Sequence, residues 1–169
     1  TLMINLHETG WHSEGEIAGW EHHYSSHMKN TNVFVEASRW ANGDYIETTA
    51  CFFSDIDHDG GEELVMHNDK VFTVFEGIGG KINWMYYKDD YGNAYSVIGS
   101  DVAYWSETNG DYNENNNNHM AALSDVSPNQ QNSIYDITIN QSQGDIVSAT
   151  LSQFGVSKTV QLSTGQNYL

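Results

Sequence analysis

The chain has 169 residues, which suffices for one domain with its own hydrophobic core or for a small domain with a helical attachment. Its net charge of −17, with six basic against 23 acidic residues, makes nucleic acid and anionic membrane surfaces unfavourable partners. No apolar run approaches about 18 residues, so no membrane-spanning helix is predicted, and the acidic surface favours an extracellular or cell-surface setting.

The first part of the chain has a helical pattern. Ser13 and Glu16 fit a capping box, and Asn42-Gly43 supplies a left-handed stop, so we predict one long helix over residues 17–41. Its apolar face would consist of Ile17, Trp20, Tyr24, Met28, Thr31, Val35 and Ala37, which repeat at helical spacing. Residues 1–43 would then form an N-terminal strand, turn and helix, and residues 44–169 a separate β-sandwich.

Histidines are concentrated in the first 27 residues. His23 and His27 stand one helical turn apart, a spacing that can hold a transition metal together with Glu8 or Glu21. The metalloprotease pattern of His-Glu-x-x-His is not present. A second metal site at His23 and His27 therefore competes with packed or solvated side chains and with a domain interface.

From residue 45 the pattern changes to short apolar runs with period two. Strands are predicted at residues 45–53, 63–67, 70–76, 81–87, 94–98, 102–105, 119–123, 133–139, 145–151 and 157–162. The Asn-rich residues 109–118 are expected to form an exposed loop. Frequent turns and a single proline predict a mainly β protein, an antiparallel β-sandwich, in which the single cysteine, Cys51, is a buried thiol without a disulfide partner.

An acidic loop connects two of these predicted strands. It carries three alternating aspartates, a Gly-Gly turn and an acidic pair. Carboxylates at positions one, three and five of a tight loop converge on one point, and Ca²⁺ is the cation that best suits such an oxygen cage. Position twelve is Met66, so the loop is shorter than an EF-hand and ends in a strand. The predicted ligands are Asp55, Asp57, Asp59, a carbonyl near Gly61, and Glu63. The alternative is a solvated acidic turn.

The acidic loop belongs to a longer run that resembles a known family. The run is Asp55-x-Asp-x-Asp-Gly-x-Glu-Glu, Val65-x-x-Asn68, Val71-x-x-Val74-Phe75 and Gly79-Gly80-x-Ile82. It resembles the supersandwich-like module that follows the barrel and helical part of glycoside hydrolase family 57 proteins, the α-amylase and glucanotransferase type. Over roughly residues 4–125 the resemblance implies the end of the barrel and helical part plus this module. The family's catalytic pair lies upstream, and no match to it is present here.

The aromatic content agrees with a carbohydrate partner. Five tryptophans and ten tyrosines accompany polar, Asn-rich loops, and sugar C–H faces stack on such rings. Trp84, Tyr87 and Trp105 are the predicted contacts, although many of these aromatic residues are equally expected in the sandwich core.

Three functions remain open from the sequence. The first is a noncatalytic, calcium-stabilised module of an extracellular polysaccharide-active protein. The second is a structural or assembly subunit, of the filament or surface-layer type. The third is a small metal-dependent hydrolase that uses the histidine-rich segment. Because the sequence opens at Thr1 without a signal-peptide pattern, we expect a processed chain or a segment of a larger parent chain. The alternative to a larger parent chain is a homo-oligomer.

Overall fold

In the described part of the chain, two antiparallel sheets and one short helix form the fold. The computed structural model describes residues 31–46, 48–99, 122–123 and 133–169, and residues 31–41 form helix α1. The five-stranded sheet is ordered β1 (Ala50–Ser54), β2 (Glu63–His67), β3 (Val71–Glu76), β4 (Lys81–Lys88) and β5 (Ala94–Ile98). The three-stranded sheet is ordered β6 (Asp136–Gln141), β7 (Ile146–Gln153) and β8 (Val156–Ser163). The predicted mainly β, antiparallel two-sheet class is confirmed.

The five-stranded sheet is covered on both faces. On one face Leu64 and Met66 join an inter-sheet core with Val147 and Leu162 of the three-stranded sheet. On the other face Val65 joins a core shared with α1. All five residues of β2 are buried as a result, which explains why this strand lacks the simple alternation of a half-exposed strand. No helix in the described part of the chain is long and apolar enough to cross a membrane.

Helix α1 ends where the sequence predicts. Gly43 has a φ of 83° and its N–H donates to the Trp40 carbonyl, while the N–H of Asp44 reaches back to Arg39, which is a Schellman arrangement. The buried stripe of α1 is Val33, Ala37 and Trp40. The prediction that Val35 lies on the buried face is wrong, because its side chain is 53% exposed. The predicted helical residues 17–30 lie outside the described residues.

Two details of the sheets differ from the predicted strands. Strand β1 begins at Ala50 and not at residue 45, because the ring of Tyr45 packs edge-on against His67 while its hydroxyl bonds to Glu36 of α1. Of the predicted strand 119–123, the described residues are 122 and 123, and Ala122 forms an isolated bridge with Ile82. The predicted strand 102–105 lies outside the described residues. The other predicted strands agree with β2 to β8 to within a few residues.

A β-bulge in β4 changes which side chains share a face. Ile82 pairs with Phe75, whereas Trp84 pairs with Val74, so Asn83 is an additional residue in this strand. Strict alternation would place Ile82 and Trp84 on the same face. The bulge instead sends Ile82 into the inter-sheet core and Trp84 into the core beneath α1.

Candidate metal centre

The candidate site lies in the loop of residues 55–62, which connects β1 to β2. Ser54 and Glu63 are direct partners in the β1–β2 ladder, so the two ends of the loop lie side by side at the edge of this ladder. Such a tight reversal needs left-handed backbone. It is supplied by His58 with a φ of 63° and Gly60 with a φ of 94°. This reversal brings Asp55 and Asp57 of the loop close to Glu63 at the start of β2.

Three carboxylates converge at the base of the loop. Ligand atoms of Asp55, Asp57 and Glu63 lie within 4.8 Å of one another, an arrangement that can hold a metal ion. Asp57 and Glu63 are each only 2% exposed, while Asp55 is half-buried. Burying several like charges together is costly unless a cation compensates them. The described donor set consists of carboxylate oxygens, which are the ligands of hard cations.

Hydrogen bonds from the loop backbone orient these carboxylates. Asp55 accepts from the N–H groups of Asp59 at 3.0 Å and Gly60 at 3.2 Å. Oε2 of Glu63 accepts from the Ile56 N–H at 3.0 Å, which connects the first residue of β2 to the start of the loop. The conformation of the loop is therefore fixed by the same groups that would coordinate an ion.

Helix α1 is also connected to the loop. The side-chain amide of Asn32 donates to the Asp57 carbonyl at 3.0 Å. Ile56 is 4% exposed and packs in the core that α1 shares with the sheet, together with Val33 and Ala37. A change in the loop conformation would consequently disturb the packing of α1.

The electrostatics of Glu63 reflect this crowding. Burial, followed by the negative charges of Asp57 and Glu76, raises the pKa of Glu63 to about 8. Burial also raises the pKa of Glu76, with further contributions from Asp57 and Asp59. Both groups therefore resist ionisation within the protein alone, and a bound cation would favour the ionised forms.

Glu76 is the acidic residue that the sequence analysis missed. It ends β3, and its Oε1 accepts from the Gly77 N–H at 2.9 Å. The position of Glu76 could have been inferred from the sequence, because the tight turn at Asn68 sets the register of the β2–β3 hairpin. In that register Leu64 opposes Phe75 at the end of the ladder, so the residues that follow outward on the two strands are Glu63 and Glu76. Hairpin register, and not spacing within the loop, brings this fourth carboxylate to the site.

The other predicted ligands of the loop have different surroundings. Asp59 is exposed, and its Oδ1 accepts from the Gly61 N–H at 2.7 Å, which closes the Gly-Gly turn. Coordination by Asp59 and by the Gly61 carbonyl remains a prediction. The predicted second metal pair, His23 and His27, lies outside the described residues.

The two predicted carbohydrate contacts within the described residues, Trp84 and Tyr87, both lie on β4 but differ in exposure. Trp84 is 0% exposed, so its ring offers no free face for a sugar to stack on, because α1 covers that side of the sheet. Tyr87 is half-buried and pairs across the ladder with Tyr95, which is 53% exposed. Trp105 lies outside the described residues. On the β4–β5 hairpin, Tyr91 and Tyr95 are exposed aromatic side chains; other exposed aromatic residues are dispersed over the described chain, at Phe34, Phe53, Phe154 and Tyr168.

Comparison with known proteins gives no family for this chain: no family model, no curated protein and no solved structure matches it. The resemblance to glycoside hydrolase family 57 therefore remains a prediction from the sequence motifs. The fold and the site together define a mainly β protein of two packed antiparallel sheets, with an acidic cluster that can bind a metal ion.

Proposed function

We propose that this protein is a calcium-binding β-sandwich module in which the ion stabilises the junction of β1, β2 and α1. The observation that carries the proposal is the convergence of Asp55, Asp57 and Glu63, two of them almost fully buried. Ca²⁺ accepts six to eight oxygen ligands in a flexible shell, whereas Mg²⁺ demands octahedral geometry and Zn²⁺ favours nitrogen and sulfur. An all-carboxylate set in a short loop favours calcium.

The proposed role of the ion is structural. It would neutralise the carboxylates that the fold brings together and so hold Ile56 in the core beneath α1. Binding to the native state at 100 times the dissociation constant stabilises a protein by about 2.7 kcal/mol. For a chain of this size that corresponds to a rise in melting temperature of roughly 5–10 °C.

Thermal unfolding in chelator, in calcium and in magnesium tests this proposal. We expect a higher melting temperature in calcium than in chelator, and a smaller effect of magnesium. Asp57→Asn should abolish the calcium effect. Asp136→Asn, which removes an exposed carboxylate from β6, should leave it intact. Identical wild-type melting curves in chelator and in calcium would refute the proposal.

We further propose that the module is a noncatalytic part of an extracellular polysaccharide-active protein. The support is the motif resemblance around the acidic loop, together with the Tyr87–Tyr95 pair and Tyr91, which is 91% exposed on the same hairpin. Stacking on an open platform gives weak affinity, on the order of micromolar to millimolar.

Titration with soluble α-glucan tests this second part. Binding should weaken in Tyr95→Ala and persist in Thr159→Ala, which alters the exposed face of β8 instead. Absence of any glucan binding, or turnover of a chromogenic glucoside that one carboxylate substitution abolishes, would contradict the noncatalytic glycan role. Neither result would bear on calcium binding.

A further inference from the structure

A cavity of about 420 Å³ lies beside β1 and opens to solvent. It is bounded by the chain just before β1 and by the β6–β7 turn, whose Ser142 carbonyl accepts from the Cys51 N–H at 2.8 Å. Its volume falls in the range of roughly 300–1,000 Å³ that is usual for small-molecule pockets, so it has room for one aromatic side chain.

The lining of this cavity is uncharged, in a chain whose net charge is −17. Among the described residues that form it, Phe52 is half-buried and Ile46 is 97% exposed, so an apolar side chain stands in solvent at the cavity. The imidazole of His67 is neutral at physiological pH, because burial, together with the nearby Lys88, lowers its pKa to about 4. The cavity therefore favours an apolar occupant over an ion.

An exposed aromatic side chain stands at the turn between β7 and β8. Gln153 pairs with Val156, so Phe154 and Gly155 form a two-residue turn, in which Gly155 has a φ of 81°. Such turns are usually built from asparagine, aspartate and glycine, whereas Phe154 is 97% exposed at this one. The four residues 153–156 carry no charge. Aromatic side chains of this kind are typical anchors that fill a pocket on a partner.

The cavity and this turn lie at opposite ends of β7. The β6–β7 turn that borders the cavity precedes Ile146, and Phe154 directly follows Gln153. A strand of eight residues spans roughly 25 Å, so Phe154 cannot reach the cavity of its own molecule. Contact between the exposed ring and the cavity therefore requires two molecules.

We propose that this chain associates head to tail, with Phe154 of one molecule inserted into the cavity beside β1 of a second copy. The contact covers Phe154 and Ile46, which are both 97% exposed in the single molecule. Neither the lining nor the turn contributes a carboxylate, so the contact avoids the repulsion between two acidic chains.

This contact is heterologous, because the turn and the cavity are different surfaces at opposite ends of one strand. Each added molecule leaves one free turn and one free cavity, so the association continues into an open chain unless the rotation between neighbours closes a ring. It involves neither the acidic loop nor the β4–β5 hairpin, and it is therefore separate from the calcium and glycan proposals.

Sedimentation velocity of the full chain tests the association. The ionic strength should be high enough, about 0.5 M, to screen the charge repulsion. The average mass should rise with protein concentration, with a dissociation constant on the order of 0.1 mM, since one inserted side chain makes a small interface. Phe154→Ser should weaken the association by about 10–100-fold, the worth of burying one large apolar side chain. Tyr91→Ser removes a ring that is 91% exposed at a different hairpin, and it should associate as the wild type does.

A mixture of two variants tests whether the contact is head to tail. Ser142→Trp fills the cavity from an exposed position and keeps the turn, whereas Phe154→Ser keeps the cavity and loses the ring. Each variant alone should be monomeric. Their equimolar mixture should form a heterodimer that does not grow, because the pair has neither a second ring nor a second open cavity to offer.

An NMR measurement covers the case in which Ser142→Trp does not fold. Unlabelled wild type added to isotope-labelled Phe154→Ser should shift the amide resonances of Cys51 and Phe52, which line the cavity, and leave that of Tyr91 unchanged. The proposal is overturned if the wild type stays monomeric throughout, if Phe154→Ser associates as the wild type does, if folded Ser142→Trp associates alone, or if the shifts do not occur at the cavity.

Discussion

The substitution Glu63→Gln should change the sign of its effect on stability when calcium is added. Glutamine keeps the size of the side chain and can still accept the Ile56 N–H bond at its amide oxygen, but it cannot ionise. Without calcium the variant should be more stable than the wild type at pH 8, since it avoids a buried charge beside Asp57 and Glu76. In calcium it should be less stable, because a carboxylate ligand is lost.

The magnitude follows from the pKa of Glu63, which is raised from 4.5 to about 8. The native state therefore holds this proton more tightly than the unfolded state does. Its contribution to stability is complete below about pH 4.5 and is lost as the pH rises through about 8. At about 1.36 kcal/mol per pH unit, ionisation costs the wild type about 4 kcal/mol by pH 8.

Two further terms set the expected difference between the proteins. The glutamine amide brings an NH₂ group into a buried site, which costs about 1–3 kcal/mol. The variant should then exceed the wild type by about 2 kcal/mol in chelator, after this cost is subtracted from the gain. Calcium at 1,000 times its dissociation constant stabilises the wild type by about 4.1 kcal/mol, which reverses the order by about 2 kcal/mol.

Urea unfolding at pH 8, in chelator and in saturating calcium, measures this reversal. Asp136→Asn serves as the control and should follow the wild type in both conditions. If Glu63→Gln is less stable than the wild type in both conditions, the buried charge carries no cost and the electrostatic reasoning fails. If it is more stable in both, Glu63 is not a calcium ligand.

Three further predictions follow from described contacts. In chelator the melting temperature of the wild type should fall between pH 5 and pH 8, and calcium should flatten that profile; a flat profile in chelator would argue against the raised pKa of Glu63. Asn68→Ala removes four side-chain hydrogen bonds, two within the β2–β3 turn and two that join this turn to the carbonyls of Ser163 and Gln166 at the end of β8 and just beyond it, so it should cost about 2–4 kcal/mol in urea unfolding, while Asn140→Ala on the exposed face of β6 should cost under about 0.5 kcal/mol. Trp40→Ala should cost about 3–5 kcal/mol, since Trp40 of α1 is 3% exposed, packs against the five-stranded sheet and bonds through its indole N–H to the Asn68 carbonyl at 2.7 Å; a loss below about 1 kcal/mol would contradict the packing of α1.

The strands were predictable where turn residues and period-two patterns agree. Glycines separate the end of β3 from the start of β4, and Asn68 begins the turn of the β2–β3 hairpin. These bounds of the strands therefore follow from short-range signals. The start of β1 was not predictable in the same way. Tyr45 has a high strand propensity, but its ring packs against His67 and its hydroxyl bonds to Glu36. Neither of these residues is close to Tyr45 in the sequence.

Burial of individual aromatic residues depends on features that a pattern does not contain. Trp84 lies in the core beneath α1 because a bulge at Asn83 changes the parity of β4. Val35 is exposed because the stripe of α1 that faces the sheet is defined by Val33, Ala37 and Trp40. Sequence spacing predicts that a helix or a strand has an apolar face, but tertiary packing decides which residues occupy it.

The acidic loop shows both what sequence spacing predicts and what only tertiary packing determines. Alternation of Asp55 and Asp57, followed by Glu63 at the start of a strand, predicted a converging cluster, and the structure brings these three together. Glu76 could be found only by aligning β2 with β3. The contact of Asn32 with the Asp57 carbonyl has no local signal, because it joins residues 25 positions apart.

The most direct test of the proposed calcium site is a crystal structure of the protein grown in calcium, with anomalous diffraction data. We expect one anomalous peak between the carboxylates of Asp55, Asp57 and Glu63, with metal–oxygen distances of about 2.3–2.6 Å. A well-ordered loop with no peak there, or a peak that magnesium replaces at equal concentration with distances near 2.0–2.1 Å, would contradict it.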